Sequence, residues 1–317
     1  MAPPTSFSRQ RFTRFAWGVL AYNVAVILWG ALVRATGSGA GCGGHWPLCN
    51  GEVLPQIAAN ATVIEFTHRL MSGIALIAVV ALFAWARALY PPRDATRRWA
   101  AWSLVFILTE ALLGASLVLL GHVAADDSMG RVYSLSAHLI NTFALLASLA
   151  LTAWASSPGN RQIRTRTFAG RAPLLAIVAV AVSGAITALG DTLFPAHTLA
   201  QGLREDFAST ANFLIRLRVI HPLLAVAAAC LLALWAGREF AARRTDRLRW
   251  LSAIILALVA SQIVVGAGNI LLKAPLAMQL FHLLLADGVW ITLVLFTAER
   301  NRAALHTTIP DAAKMIK

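Results

Sequence analysis

The sequence predicts an all-α integral membrane protein with eight transmembrane helices. Apolar residues make up 58% of the 317 residues and charged residues only 13%, whereas a soluble domain carries about 25% charged residues. The apolar residues form eight runs, each about long enough to cross the hydrocarbon layer as a helix. These runs are rich in Leu, Ala and Val and lack the alternation typical of a membrane β-barrel. In order they are 15–35, 66–89, 99–120, 132–155, 172–190, 214–236, 249–272 and 276–298.

The basic residues predict how these helices are oriented. Most of the 27 Lys and Arg residues fall in segments on the same side of the membrane as the N-terminus. This excess predicts a multi-pass protein of the cell membrane with both termini in the cytoplasm. The net charge of +13 is therefore interpreted as a topology signal with some attraction to membrane lipid, and no nucleic-acid partner is expected. The basic segments are 9–14, 87–98, 161–171, 238–249 and 300–317.

Two long loops are expected on the outer side. Loop 36–62 is rich in Gly and contains Pro47 and Pro55, which indicates turns rather than regular structure. In loop 191–213, apolar residues recur at every fourth position between Leu199 and Phe207. This spacing predicts a short interfacial helix.

The second half of the chain repeats the first. Glu110–Leu120 matches Gln262–Leu272, and Gly30 matches Gly184, at a nearly constant offset of about 150 residues. The matched helices cross the membrane in the same direction, so the repeat is parallel rather than inverted. Small residues in these segments suit close helix packing. The two predicted four-helix halves are residues 1–155 and 156–317.

Four histidines occupy matched positions in the two halves. Each lies within about two turns of the outer end of an inward-running helix, so all four are expected at similar depth. Two imidazoles at equal depth on different helices are what ligation of a haem iron requires. The alternative is that each histidine hydrogen-bonds to a neighbouring helix, but the matched positions favour ligation. The four are His68, His138, His221 and His282.

Two arginines beside these histidines are candidates for binding haem propionates. Arg69 follows His68, and Arg218 lies three residues before His221. Bidentate pairing of guanidinium with carboxylate would explain cations at these helix ends. The alternative is that each arginine extends to the membrane surface without a specific partner.

Glu65 makes the two halves unlike. It lies three residues before His68 on the same helical face, whereas its repeat counterpart is the cationic Arg218. A carboxylate one turn from an iron ligand could transfer protons or stabilise positive charge during an oxidation. The alternative is a surface Glu at a helix N-terminus. The mid-helix carboxyls of Glu110 and Asp287 are expected to be buried and hydrogen-bonded.

The cysteines predict one disulfide bond. Cys42 and Cys49 lie in the first outer loop, on the oxidising side of the membrane, so a disulfide between them is expected. A metal site that adds His45 is the weaker alternative, because three ligands fall short of a closed set. Cys230 is interpreted as a small buried apolar residue.

Three motifs together resemble the haem A synthase family, which consists of membrane enzymes of cytochrome oxidase assembly. The motifs are Arg34–Gly39, Cys42–Gly51 with its Trp-Pro-Leu-Cys segment, and the Glu-x-x-His-Arg segment Glu65–Arg69. The other three histidines fall where the family has its own. The resemblance extends over about residues 15–298.

The resemblance implies that the first half binds the substrate haem O between His68 and His138. The second half would hold a haem b cofactor between His221 and His282. The reaction implied is oxidation of the C8 methyl group of haem O to a formyl group, with Glu65 as the catalytic carboxylate. A haem O synthase and an electron donor are the partners implied, and a homo-oligomer stays an open alternative.

Loop 191–213 departs from some members of the family because it has no cysteine pair. Electron transfer between two cysteine pairs is therefore in doubt, and the role of Cys42 and Cys49 stays open between structure and electron entry. The main alternative function is a dihaem b-type cytochrome without substrate chemistry, and a haem carrier has less support. The contrast between Glu65 and Arg218 favours the enzyme.

Overall fold

The computed structural model describes residues 6–56, 59–157 and 171–307. Within these ranges, eight helical segments are long and apolar enough to cross a membrane, which confirms the prediction of a multi-pass all-α protein. In chain order the helices are α1 Ser6–Ala35, α2 Asn60–Leu89, α3 Ala95–Leu119, α4 Met129–Ser156, α5 Arg171–Leu193, α6 Leu199–Phe207, α7 Phe213–Leu217, α8 Ile220–Ala242, α9 Asp246–Leu271 and α10 Leu276–Thr307.

Several helices begin at a polar side chain that caps their first turn. The carboxylate of Asp94 accepts the N–H of Thr96 at 2.8 Å, and the hydroxyls of Thr198 and Thr245 each accept an N–H three residues later at 3.1 Å. These bonds satisfy amide donors that the helix itself leaves unpaired. The cap at Thr198 begins α6, which confirms the predicted helix in the second long loop.

Pro222 explains why one span is divided into α7 and α8. Because proline has no N–H, it cannot donate to the carbonyl of Arg218 four residues earlier. Arg218 and Val219 nevertheless keep right-handed helical dihedral angles. The chain therefore runs through the interruption as a single candidate span, Phe213–Ala242. The interruption falls directly before His221.

The spanning helices pack as two groups of four. In the first group α1 contacts α2 and α4, and α3 contacts α2 and α4. In the second group α8 contacts α5 and α9, and α10 contacts α5 and α9. The groups meet where α4 packs on α5 and α10 and where α1 packs on α10 and α5.

The contact between α4 and α10 is at the centre of the protein. The rings of Phe143 and Trp290 stack with their centroids 4.8 Å apart, and the Trp290 indole N–H donates to the Phe143 carbonyl at 2.7 Å. Consistent with this position, α4 is the most buried span and α10 the next.

The remaining spans present large apolar side chains outward, as expected of helices that face lipid. Leu112 on α3 and Leu223 on α8 are among these exposed residues. Cys230 is also exposed on α8, so the prediction that it is buried is wrong. An apolar side chain in a membrane helix has no need to face the bundle, and composition does not tell which side it takes.

The orientation of the chain in the membrane stays a prediction. Several of the basic residues that carry it lie outside the described ranges, namely Arg161, Arg164, Arg166, Lys314 and Lys317. The end of the bundle that contains the Cys42–Cys49 loop is called the loop end below.

Candidate functional site

Two of the predicted ligand histidines pack directly against glycines of a neighbouring helix. A β-carbon on Gly30 of α1 would lie 3.0 Å from Cε1 of His68, and one on Gly184 of α5 would lie 2.9 Å from Cε1 of His221. Both distances are shorter than ordinary contacts between carbon atoms. Glycine therefore leaves room for the imidazole at these positions, where a larger residue would force the ring to shift.

The other two histidines have the same kind of neighbour. A β-carbon on Gly114 of α3 would lie 3.7 Å from Cε1 of His138, and one on Gly266 of α9 would lie 3.3 Å from Cε1 of His282. The sequence predicts that these glycines serve helix packing. In the structure each lies beside a histidine ring, and the recurrence of these glycines in both halves is the sequence feature that could have indicated this.

The two histidines of each half lie near one another. His138 is within electrostatic range of His68, and His221 is within electrostatic range of His282. Within each group of four, the two helices concerned are separated by the helices that both of them contact. The structure thus brings the predicted pairs together across the interior of each bundle.

Several imidazole nitrogens have no protein partner. In the described part of the chain, Nδ1 of His68, His138 and His282 is buried without a hydrogen bond, while Nδ1 of His221 lies 3.1 Å from the Ser183 hydroxyl. Buried polar atoms are normally paired. Two imidazoles on opposite helices of each group, with a glycine beside each ring, fit the requirements of a haem iron.

Glu65 is buried, with 3% of its surface exposed, so the alternative of a surface Glu is wrong. One carboxylate oxygen accepts the N–H of Cys42 at 2.8 Å, and the other accepts Nη2 and Nε of Arg69 at 2.5 and 3.2 Å. Arg69 also donates to the carbonyls of His45 and Leu48 at 2.5 and 2.6 Å. The carboxylate is therefore fixed jointly by its own helix and by the outer loop.

A disulfide bond joins Cys42 to Cys49, as predicted. Because both sulfur atoms are bonded to each other, the alternative of a metal site with His45 is excluded. The loop also lies very close to α2: a β-carbon on Gly41 would overlap the Ala61 carbonyl, and the Thr62 hydroxyl donates to the Gly41 carbonyl at 2.8 Å. The loop is thus held against α2 one turn before Glu65.

Arg218, the repeat counterpart of Glu65, is balanced by two carboxylates. Its Nη1 lies 3.0 Å from Oδ1 of Asp191 and its Nε 3.2 Å from Oδ1 of Asp206. Burial raises the pKa of the Asp206 carboxyl above its ordinary value, and the neighbouring Arg218 opposes this. The surroundings of the second histidine pair are therefore cationic side chains with compensating acids.

Glu110 adds a second difference between the halves. As predicted it is hydrogen-bonded: it accepts the Asn141 amide at 2.5 Å and the Thr142 hydroxyl, and it is half-buried. Its carboxylate also lies 3.6 Å from Nε2 of His138. The residue at the matching position of the second half is Gln262. This difference between Glu and Gln is the sequence feature that could have predicted unlike surroundings for the two histidine pairs.

Asp287 agrees with its prediction only in part. It is buried, with 1% of its surface exposed, but neither carboxyl oxygen has a hydrogen-bond partner in the described part of the chain. The expected hydrogen bond is therefore wrong. Its position in mid-helix gave no information about side chains on other helices.

These observations define a class: polytopic α-helical membrane proteins with a pair of facing histidines in each of two helix groups. The chain belongs to the COX15-CtaA family, described as Cytochrome oxidase assembly protein, whose model matches residues 13–294. The predicted family resemblance is thereby confirmed.

Three relatives are informative. Proteins called Heme A synthase from Halalkalibacterium halodurans and Shouchella clausii are 30% and 32% identical, over 88% and 82% of this chain and 94% and 87% of their own lengths. A Thermus thermophilus protein called Protoheme IX farnesyltransferase is 45% identical over 96% of this chain. The chain spans only 51% of that protein's length.

The contacts of Arg69 generate a testable prediction. Arg69→Lys keeps the charge but cannot reach Glu65 and two loop carbonyls at once, because an ammonium group lacks the planar fork of a guanidinium. We expect backbone amides of residues 43–50 to exchange hydrogen at least about tenfold faster, corresponding to roughly 1–2 kcal/mol of lost local stability. Arg204→Lys on α6 is the control, and equal exchange in both variants would contradict the assignment.

Proposed function

We propose that this chain is an oxidoreductase that forms haem A by oxidising the C8 methyl group of haem O to a formyl group. The observation that carries the proposal is the difference in charge around two otherwise matched histidine pairs. The buried carboxylate of Glu65 lies one turn before His68, whereas Arg218 lies one turn before His221. The proteins called Heme A synthase, which align over most of the chain, give the reaction class.

The proposal divides the chain into two tandem halves, residues 1–155 and 156–317. Support comes from the recurrence of the same contact, a histidine ring on a glycine of the neighbouring helix, at matched positions in both halves. In the first half, His68 and His138 would hold the substrate haem O. In the second half, His221 and His282 would hold the cofactor haem b. Bound haem b supplies one-electron transfer.

Glu65 is the proposed catalytic residue. Successive hydroxylation of the methyl group and loss of water from the resulting hydrate both require protons to be moved at the substrate, so a proton-transfer group is needed close to it. The Cys42 amide and the Arg69 guanidinium hold the two carboxylate oxygens, and each oxygen keeps lone-pair capacity to accept a proton. The fixed negative charge also stabilises positive charge that develops beside it during the oxidation.

Glu110 supports the same division of roles. The carboxylate of Glu110 lies 3.6 Å from Nε2 of His138 and places a negative charge beside that imidazole. In the second half Gln262 donates instead to the backbone carbonyl of His282 at 3.1 Å. The two irons would therefore lie in unlike electrostatic surroundings, although all four proposed ligands are histidines.

The proposed setting is the cell membrane, with both termini in the cytoplasm. A haem O synthase is the proposed supplier of substrate. This is supported by the Thermus thermophilus relative, which is called Protoheme IX farnesyltransferase and of whose length this chain covers 51%. An electron donor and surrounding lipid complete the partners. Arg69 already donates to Glu65 and to two loop carbonyls, whereas Nε and Nη2 of Arg218 have no hydrogen bond in the described part of the chain and are the donors that a propionate would meet.

The alternative function, a dihaem b-type cytochrome, is favoured by one observation, the recurrence of a histidine ring beside a glycine of a neighbouring helix in both halves. Electron transfer alone, however, gives no reason for a buried carboxylate one turn before His68 and an arginine at the matching position before His221. The enzyme accounts for both features.

The reaction is tested by co-expression with a haem O synthase. We expect membranes to accumulate haem A, measured by extraction and chromatography, and Glu65→Gln to lower the yield at least about 100-fold because the proton acceptor is lost. Glu65→Gln should still retain haem, so its haem content is the control. Unchanged haem O with the native chain would refute the enzyme, and normal turnover by Glu65→Gln would refute the role of Glu65.

The cofactor site is tested through its ligands and its glycine. His221→Ala and His282→Ala should each lower the haem b content of the purified protein, because one axial bond is lost. Gly184→Ala should do the same by displacing the His221 ring. The matched control is Gly237→Ala on α8, where a β-carbon would meet nothing within 4 Å. Full haem b content in both histidine variants would rule out this ligand pair.

A further inference from the structure

Arg34 belongs to the first half of the chain, yet every hydrogen bond of its guanidinium is made to the second half. Nη1 donates to the Ala188 carbonyl at 2.6 Å and to the Thr192 hydroxyl at 2.8 Å, and Nη2 donates to the Gln279 side-chain oxygen at 3.2 Å. Two of these acceptors are on α5 and one is on α10. Arg34 therefore crosses the interface between the two groups of helices.

The acceptors surround the loop-end side of the second histidine pair. Ala188 lies one helical turn beyond Gly184, the glycine that faces His221. Gln279 lies one turn before His282 on the same face of α10. The guanidinium is thus at the level where Arg218, one turn before His221, also lies.

The charge of Arg34 is not matched by a contacting acid. Its three partners are neutral, and in the described part of the chain no carboxylate lies within ion-pair distance of it. Asp191 acts on Arg34 through a longer-range charge interaction, but its carboxylate is in contact with Arg218 at 3.0 Å. Arg34 is half-buried, and a cation withdrawn from water ordinarily has a contacting counter-ion.

The guanidinium also has donors to spare. It carries five N–H groups, of which the three hydrogen bonds use three. The N–H of Nε and one N–H of Nη2 are left without an acceptor among the described residues. Two N–H groups on one planar guanidinium can bind a carboxylate in bidentate fashion.

We propose that Arg34 binds a carboxylate of the macrocycle held in the second half, so that the cofactor site is completed by a residue of the first half. The ligand class is a tetrapyrrole with propionate side chains. This inference rests on the proposed function, because it requires a haem between His221 and His282. It adds a binding residue that lies far from both histidines in the sequence.

The position of Arg34 on α1 gives the contact a further consequence. Gly30, one turn earlier on the same helix, is the residue that faces His68. One turn of α1 therefore touches the proposed substrate site and the proposed cofactor site. A carboxylate bound to Arg34 would hold the cofactor in a fixed position relative to the substrate.

The test uses the full-length chain with His138→Ala, so that the second pair is the one loaded, reconstituted with haem b or with its propionate dimethyl ester. With haem b, Arg34→Gln should bind about tenfold more weakly, because the bidentate pair is lost. It should also lower the midpoint potential, since an unpaired propionate favours ferric iron. A tenfold change in that equilibrium corresponds to ~59 mV.

The ester provides the decisive comparison. Because its carboxylates are blocked, the dimethyl ester should bind equally to the protein with Arg34 and to the Arg34→Gln variant. Arg34→Lys keeps the charge without the planar fork, so its affinity for haem b should be intermediate. Arg204→Gln on α6 is the control and should bind both ligands as the protein with Arg34 does. Both measurements report on the bound haem and do not depend on turnover.

The outcomes separate this inference from the proposed function. If Arg34→Gln matches the native arginine with haem b while His282→Ala loses the haem, the site exists and Arg34 is not part of it. If the variant is impaired equally with haem b and with the ester, Arg34 acts only on the structure of the interface. If the native second half binds no haem, the proposed function itself fails.

Discussion

The structure depends on one constraint, the accommodation of four imidazole rings inside helix bundles that face lipid. A polar ring in this environment needs space next to a helix backbone and a partner for its nitrogens. A glycine of the neighbouring helix lies beside the ring at all four positions, most tightly at Gly184, where a β-carbon would approach the His221 ring to 2.9 Å. In the described part of the chain, Nδ1 of the other three rings is buried without a partner. Helix spacing, ring position and the chemistry of the site are therefore linked.

Charged residues turn this shared frame into two unlike sites. The first histidine pair has Glu65 one turn before His68 and Glu110 beside His138, while the second has Arg218 one turn before His221, with Asp191 and Asp206 in contact with that arginine. In a bundle of low dielectric constant such differences change both proton affinity and iron potential. Because Glu65 is also bonded to the amide of Cys42, the disulfide loop is part of the first site rather than a separate element. This structural role of the disulfide loop does not depend on a second cysteine pair, which loop 191–213 lacks.

What the sequence could predict follows from the range of the interactions involved. The spans, the helix at 199–207 and the disulfide depend on local composition and spacing, and all three were confirmed. The membrane face of Cys230 and the partners of Asp287 depend on neighbouring helices, and those two predictions failed in whole or in part. The glycine neighbours were visible as a repeat, but only the contacts gave them their role. Arg34 stood in a recognised motif, yet its partners lie 154 to 245 residues away in sequence.

The interface between the halves has two chemically different levels. Deep in the bundle it is apolar and closely packed, with Phe143 and Trp290 stacked. At the loop end it is polar, and Arg34 connects α1 to α5 and α10. A stacked aromatic contact fixes the distance between the halves but carries no charge, whereas a guanidinium responds to what is bound beside it. Under the proposed function electrons pass between two macrocycles, and both properties are then needed, because the separation must stay constant while the charge of one site is sensed at the other. The apolar level supplies the first, and the arginine at the loop end is the residue positioned to supply the second.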